Sequence, residues 1–405
     1  MKRIFISLFF FAFMWTAAGA DASPELLFVR WPANPDAVWY SFRIVPVTQH
    51  FGRKEMRPPI YEDGHVFRDS VMIEKEITDS YDGPGILCCQ VKAIGLDGQS
   101  ISAYSAPVPM EKAAQEMERY APKIRVKYHE QNGTVLLYPA YSFVKIPHAV
   151  SYEVEITDEE PENPDGCEPS VHRISQGIVT IPELFDELPR QGTVWWRVRG
   201  LDENGGPVGV WSEAEKIVND PAENWETGIL GDSISHGGGR MSYSPADWPY
   251  NYAYYLDFPT INMSRSGDKT DDLLRRFDAD VLPFHVRYLL IMGGTNNLRC
   301  GGTAEKVISD LEALQEKCRS GGIEPVLLTI PPIAPDRIWK YYQQPTAENW
   351  KAEFDKVNGW IRTQTHIDTA APFAMYEDMP ENLAADGLHP VSYTHLRAHE
   401  TRSNL

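Results

Sequence analysis

"GILGDSISHGGG", residues Gly228 to Gly239, decides how the second half of the chain is read. A short apolar run ends in glycine and is followed at once by Ser233, Ser235, His236 and three glycines. That is the pattern of a buried strand that stops and hands small polar side chains to a loop. Further out, the apolar runs "YLLIMGG" (Tyr288 to Gly294) and "PVLLTIPP" (Pro325 to Pro332) alternate with segments of helical period. The clearest helix opens at Thr303, sets Ala304, Val307, Ile308, Leu311, Leu314 and Cys318 on one face, and stops at Gly321-Gly322. A second spans roughly Ala347 to Thr365, with Trp350, Phe354, Val357 and Ile361 inward. Strands and helices in alternation predict a parallel sheet covered on both faces, which binds ligands at the carboxyl ends of its strands.

Residues able to do chemistry collect at those ends. Ser233 follows the first strand, Gly267 lies in "NMSRSGDKTDDLL", Asn296 follows "YLLIMGGT", and Asp386 and His389 share "DGLHP". A serine hydroxyl becomes a nucleophile only when a base takes its proton, and the base needs a carboxylate to fix its tautomer. Asp386 and His389 are separated by one tight turn at Gly387, which can aim one at the other. Carbonyl attack also creates an oxyanion, for which the backbone N–H of Ser233, the backbone N–H of Gly267 and the side-chain amide of Asn296 are the candidate donors. Each block alone is a common turn; their order, each beside a strand end or a helix start, carries the reading. Ser235 reads as a helix-start hydroxyl, and His236 as at most a substrate-loop residue. The pattern G-x-S-x-G is absent, which argues against an α/β-hydrolase elbow.

These blocks, "GDSIS", "SRSGDKT", "GGTNN" and "DGLHP", resemble those of the SGNH or GDSL hydrolases over roughly Glu226 to Pro390. The resemblance implies an α/β fold, a flavodoxin-like three-layer α/β/α domain over residues 225–390. It implies ester hydrolysis through an acyl-enzyme with neither cofactor nor metal, Ser233, Asp386 and His389 forming the triad and Ser233, Gly267 and Asn296 the oxyanion hole. Asn297 departs from the aspartate many members carry there. The loop after Ser233 brings Tyr243, Trp248, Tyr250 and Tyr252; Trp248 and Tyr250 are the candidate substrate-binding rings, against the alternative that these rings pack the following helix. The expected substrate is an acylated carbohydrate or small ester. Lipid or thioester acyl groups, and a non-catalytic surface protein, are the alternatives.

The first half repeats itself. "CCQVKAIGLDGQSISAYS" (Cys88 to Ser105) aligns without a gap on "WWRVRGLDENGGPVGVWS" (Trp195 to Ser212), and "WPANPDAVWYSFRIV" from Trp31 resembles the stretch from Tyr138. Alternating apolar and polar residues between Asp-Gly and Asn-Gly turns predict two all-β sandwiches, residues 24–112 and 122–218, resembling fibronectin type III or immunoglobulin-like modules. "EKAAQEMERYAP" is the expected helix or stiff linker between them, and the modules are expected to space the enzyme or dock glycan. Residues 1–22 read as a signal peptide, so export is expected, and no other segment approaches the ~20 apolar residues of a membrane span. A net charge of -19 disfavours nucleic acid and anionic membranes as partners. Five cysteines read as inert thiols rather than a disulfide framework. Residues 391–405 lack an apolar stripe and read as a non-native tail, so His395 and His399 are not taken as metal ligands.

Overall fold

Period-two alternation builds the N-terminal half, because residues facing one way along a strand are buried together. The computed structural model describes residues 25–390 except 35, 52, 126–127, 129–134 and 239–243. The expected signal segment and the C-terminal tail lie outside the described residues. In the first repeat a three-stranded antiparallel sheet centred on Leu26–Arg30, with Ser70–Glu74 and Ala114–Met117 beside it, shares an apolar cluster with a five-stranded sheet. That second sheet is centred on Trp39–His50 and Ile86–Ile94. Trp31 fills the space between them, stacked on Phe42 with ring centroids 5.7 Å apart. The second repeat pairs a sheet of Lys123–Ile124, Ala140–Val144 and Glu183–Phe185 with one built around Ser151–Thr157 and Gly192–Leu201. Its core holds Tyr141, Phe143 and Trp196.

The small sheet of the first repeat lies between the two cores. Leu27, Val29, Val71 and Ile73 pack into the first cluster, while Leu26 and Met72 pack into the second. "EKAAQEMERYAP" is only partly a helix. Met110–Ala113 makes one turn, after which Ala114–Met117 pairs antiparallel with Leu26–Val29 and completes the sheet. Sheet pairing has overridden the helix propensity of this Ala/Glu/Met stretch.

The α/β half is a six-stranded parallel sheet. Its strands are β1 (Val135–Leu136), β2 (Thr227–Gly231), β3 (Thr260–Asn262), β4 (Tyr288–Met292), β5 (Glu324–Leu328) and β6 (His366–Ile367). Their order is β1-β3-β2-β4-β5-β6. Without β1 this is a doubly-wound order, and the chain reverses its direction of travel between β2 and β4. Strand β1 comes from inside the second β-repeat, and Leu137 N continues the pairing by donating to Asn262 O at 2.8 Å. Both faces of the strands are buried: Leu230, Leu289, Ile291 and Leu327 meet one apolar cluster, Ile229, Leu290, Met292 and Val326 the other. That explains the near-continuous apolar runs in the sequence.

Six helices matter here: α1 (Ser233–His236), α2 (Thr270–Asp280), α3 (Thr295–Arg299), α4 (Ala304–Ser320), α5 (Pro335–Tyr342) and α6 (Trp350–Ile361). Helix α4 has Thr303 as its cap, the hydroxyl accepting from Lys306 N, and it buries Ala304, Val307, Leu311, Leu314 and Cys318. Helix α6 is shorter than its periodic stretch but buries the expected Trp350, Phe354, Val357 and Ile361. Among the described residues no helix is long and apolar enough to cross a membrane, and no cluster of three or more metal-ligating side chains occurs.

Candidate active site

Ser233 is the first residue of α1, directly after β2. Asp232 caps that helix, its side chain accepting from Ile234 N at 3.0 Å. Burial pushes its carboxyl up to about 6. The Ser233 hydroxyl lies 2.9 Å from His389 Nε2. His389 Nδ1 lies 2.7 Å from Asp386 Oδ2. With Nδ1–H donated to the carboxylate, Nε2 is left as the acceptor for the serine proton.

The Asp386–His389 turn is held from within, Asp386 Oδ1 accepting from Leu388 N at 2.9 Å and His389 N at 2.8 Å. Gly387 makes the turn possible: its φ is +76°, and a Cβ there would come 2.7 Å from the Ala334 carbonyl oxygen. Burial opposes ionisation of Asp386, but the charge of His389 and the donors around the carboxylate outweigh it and hold the acid well below the usual range.

A cavity of about 640 Å³ opens in front of Ser233, lined also by Gly267, Asn296 and His389. It sits at the carboxyl ends of β2 and β4, where the strand order reverses. Gly267 has a φ of +92°. The Asn296 amide Nδ2 donates one hydrogen to Asp268 O at 3.0 Å, which leaves the other for the cavity. Its oxygen accepts from Arg299 Nε at 3.0 Å, so the amide cannot flip without breaking both bonds.

Ser233, His389 and Asp386, distant in sequence, thus form one hydrogen-bonded chain at the cavity that Gly267 and Asn296 also line. Residues 229–395 match the model of the GDSL-like Lipase/Acylhydrolase family. The chain carries a GDSL-like lipase/acylhydrolase domain. Over 167 residues it is 29% identical to "Thioesterase 1/protease 1/lysophospholipase L1" of Escherichia coli (strain K12), covering 40% of this chain and 74% of that protein. Among solved structures, the lipase/acylhydrolase from Enterococcus faecalis is 23% identical with a TM-score of 0.36, covering 44% of this chain and 97% of that one. A mutant of an acetyl-xylooligosaccharide esterase from Geobacillus Stearmophilus is 20% identical with a TM-score of 0.35, covering 45% and 95%.

Inside the GDSL-like domain, Asn297 does a helix-capping job that either an amide or a carboxylate oxygen can do: its Oδ1 accepts from Thr270 N, at the start of α2, at 3.0 Å. His236 is buried, and burial lowers it to about 4. It is therefore neutral near pH 7, donates Nε2–H to the Tyr138 carbonyl at 2.7 Å, and meets the Ser266 hydroxyl through Nδ1 at 2.9 Å. It thus borders the cavity but ties the nucleophile helix to the second β-repeat.

Trp248 and Tyr250 are elsewhere: neither lines the cavity. Asp247 forms ion pairs with Arg68 at 3.0 Å and Arg125 at 3.3 Å, one from each β-repeat, and these draw the following turn against the repeats. Trp248 packs near Tyr128 with ring centroids 6.2 Å apart, and Tyr250, pushed up to about 12 by burial and by the Asp247 charge, sits beside the same charged cluster. The alternative of rings used for packing describes their positions, with the β-repeats as the surface packed against.

Two residues at the site were not singled out from sequence. Tyr342, the last residue of α5, donates its hydroxyl to Asp386 Oδ2 at 2.7 Å. Arg299 orients Asn296 and is itself tied to Gln344 Oε1 at 2.9 Å. Arg299 lies three residues after Asn296 on one helix face, a spacing that could have found it. Tyr342 has no such local signal.

Proposed function

We propose that the protein is a serine esterase that hydrolyses acetyl or other short acyl esters, with acylated carbohydrate as substrate. The observation that carries this reading is the continuous relay from Ser233 through His389 to Asp386, opening on a cavity of about 640 Å³. Ser233 Oγ attacks the ester carbonyl carbon as its proton passes to His389 Nε2. The resulting imidazolium is stabilised by Asp386. The oxyanion is met by the N–H groups of Ser233 and Gly267 and the Asn296 amide. Collapse breaks the bond to the alkoxy oxygen, which takes the proton from His389 and leaves as the alcohol. Water then gives a proton to His389, attacks the acyl-enzyme and releases the acid, and Ser233 recovers its proton.

The cavity wall carries the carboxylates of Asp186, Glu187, Asp268 and Asp272 against the guanidiniums of Arg265 and Arg299, and the whole chain has a charge of -19. That balance supports an uncharged substrate. Export by way of residues 1–22 belongs to the same proposal and is checked by N-terminal sequencing of secreted protein. A second reading, acyl thioester or lysophospholipid hydrolysis, is favoured by the name of the E. coli relative. A series of p-nitrophenyl esters from acetate to palmitate, run on the parent and on Ser233→Ala, separates them. The proposal expects kcat/KM to be highest at acetate and turnover to vanish in the variant. A maximum at long chains favours the second reading, and unchanged turnover in Ser233→Ala ends both.

A further inference from the structure

Helix α5 and the turn after it reach both halves of the catalytic machinery. Just before the helix, Ala334 N donates to Gly387 O at 2.8 Å, in the middle of the Asp386–His389 turn. At the helix end, the Tyr342 hydroxyl donates to Asp386 Oδ2 at 2.7 Å and lies 3.3 Å from His389 Nδ1. The turn that carries acid and base is thus gripped from both ends of one helix. Between these grips Ile338 is fully buried in the large apolar cluster of the α/β half, which leaves the helix little freedom to shift.

The chain then changes direction. Gln343 has a φ of +54°, and its Nε2 donates to the carbonyls of Trp339 at 3.0 Å and Lys340 at 3.1 Å, closing the helix with a left-handed residue. That turn brings Gln344 to the other half of the site, where its Oε1 accepts from Arg299 Nη1 at 2.9 Å. The backbone follows, Ala347 N donating to Arg299 O at 2.9 Å. Arg299 Nε in turn holds the Asn296 oxygen at 3.0 Å and so sets the direction of the amide at the cavity. One short segment therefore supports both the base that takes the serine proton and the amide offered to the oxyanion. Both must act on the same carbonyl group, and a ~1 Å misplacement of such groups can cost on the order of 100-fold in rate.

We infer that the segment Tyr342–Gln344 is a brace that keeps His389 and Asn296 in register, with Tyr342 and Gln344 as positioning residues. This inference rests on the esterase reading above, and the experiment keeps the two apart. The full chain and its Tyr342→Phe, Gln344→Ala and Gln344→Glu variants are assayed on p-nitrophenyl acetate, with Ser233→Ala as control. Gln344→Ala is also combined with Asn296→Ala. Tyr342→Phe is expected to lower kcat about tenfold and to leave KM within about twofold, because it loses a hydrogen bond to a carboxylate. Gln344→Ala is expected to lower kcat about fivefold, and Gln344→Glu to stay within about twofold of the parent, since its carboxylate still accepts from Arg299. In the Asn296→Ala background Gln344→Ala should cost nothing further, because the amide it acts through is gone. A purely structural role would show neither the rescue nor the vanished effect. Gln344 is exposed and Tyr342→Phe removes a single oxygen, so neither change threatens the fold. Unchanged kcat in Tyr342→Phe or Gln344→Ala, losses carried by KM, no rescue by Gln344→Glu, or a Gln344→Ala loss that persists without Asn296 overturns the brace while leaving the esterase. Absence of Ser233-dependent turnover in the parent overturns the esterase reading and the brace with it.

Discussion

Replacing Asp386 with asparagine tests how the catalytic imidazole is held. Among the described residues the carboxylate accepts from the Tyr342 hydroxyl at 2.7 Å, His389 Nδ1 at 2.7 Å, Leu388 N at 2.9 Å and His389 N at 2.8 Å. In asparagine one terminal atom becomes a donor. Turned toward the backbone, the amide nitrogen would face two buried N–H groups, an arrangement costing ~1–3 kcal/mol for each one left unmet. Turned the other way it faces His389 Nδ1, which can accept, and the Tyr342 hydroxyl, which can rotate, so this orientation wins. Nδ1 must then accept, and the ring proton moves to Nε2, where it points at Ser233 Oγ across 2.9 Å. Such a histidine cannot take the serine proton. We expect kcat to fall by ~10⁴, equivalent to ~5.4 kcal/mol in the barrier. KM should change little, because Asp386 is fully buried and does not line the cavity. Initial rates on p-nitrophenyl acetate measure this, and a variant within tenfold of the parent would refute the reasoning. The same change has a stability signature. Because Asp386 titrates well below the usual range in the folded chain, its stabilisation is complete above the unfolded value of ~3.9 and is lost as pH drops further. Between pH 5 and pH 2 the parent should therefore lose more Tm than Asp386→Asn.

Three further outcomes follow from named contacts. Asn296→Ala removes the one side-chain donor proposed for the oxyanion and should lower kcat ~10²- to 10³-fold; a fall of less than about fivefold would remove Asn296 from that role. His236 has its folded value lowered from 6.5 to about 4, so the stability it confers is complete above pH 6.5 and lost as pH falls toward 4. Urea titrations should show the parent losing on the order of 3 kcal/mol more than His236→Gln between pH 7 and pH 4, and parallel profiles would contradict it. Deleting residues 25–219 removes β1, the Tyr138 carbonyl and the segment Phe185–Glu187 that lines the cavity, so the remaining domain should be insoluble or lose activity even on p-nitrophenyl acetate. Full activity on that small ester would show the β-repeats to be dispensable.

Sequence and structure agree where information is local. Strands β2, β4 and β5 are runs buried on both faces, Ser233 and Asn296 follow strand ends, and the Asp386–His389 turn is built on Gly387, so short windows exposed them. Helix α4 carried its cap, its stripe and its stop in consecutive residues. What short windows cannot carry is packing between distant segments. Val135–Leu136 is a two-residue strand, too short to show a period, and it joins a sheet whose next member begins at Thr227. Tyr342 reaches Asp386 only because the end of α5 folds over the last turn. Trp248 and Tyr250 had the composition of a sugar-stacking loop, but the buried pairing of Asp247 with Arg68 and Arg125 gave that loop to the module interface. The place of Phe185, Asp186 and Glu187 at the cavity was hidden in the same way, since the residues they face belong to another part of the chain.

The central claim is that the Ser233 hydroxyl is activated by His389 and Asp386. Intact-mass and peptide mapping after treatment with a fluorophosphonate test it most directly. The account predicts one phosphonyl adduct, mapped to Ser233, absent from Ser233→Ala and formed far more slowly in His389→Ala and Asp386→Asn. An adduct on Ser235, or labelling that survives loss of Ser233 or is indifferent to His389, would contradict it.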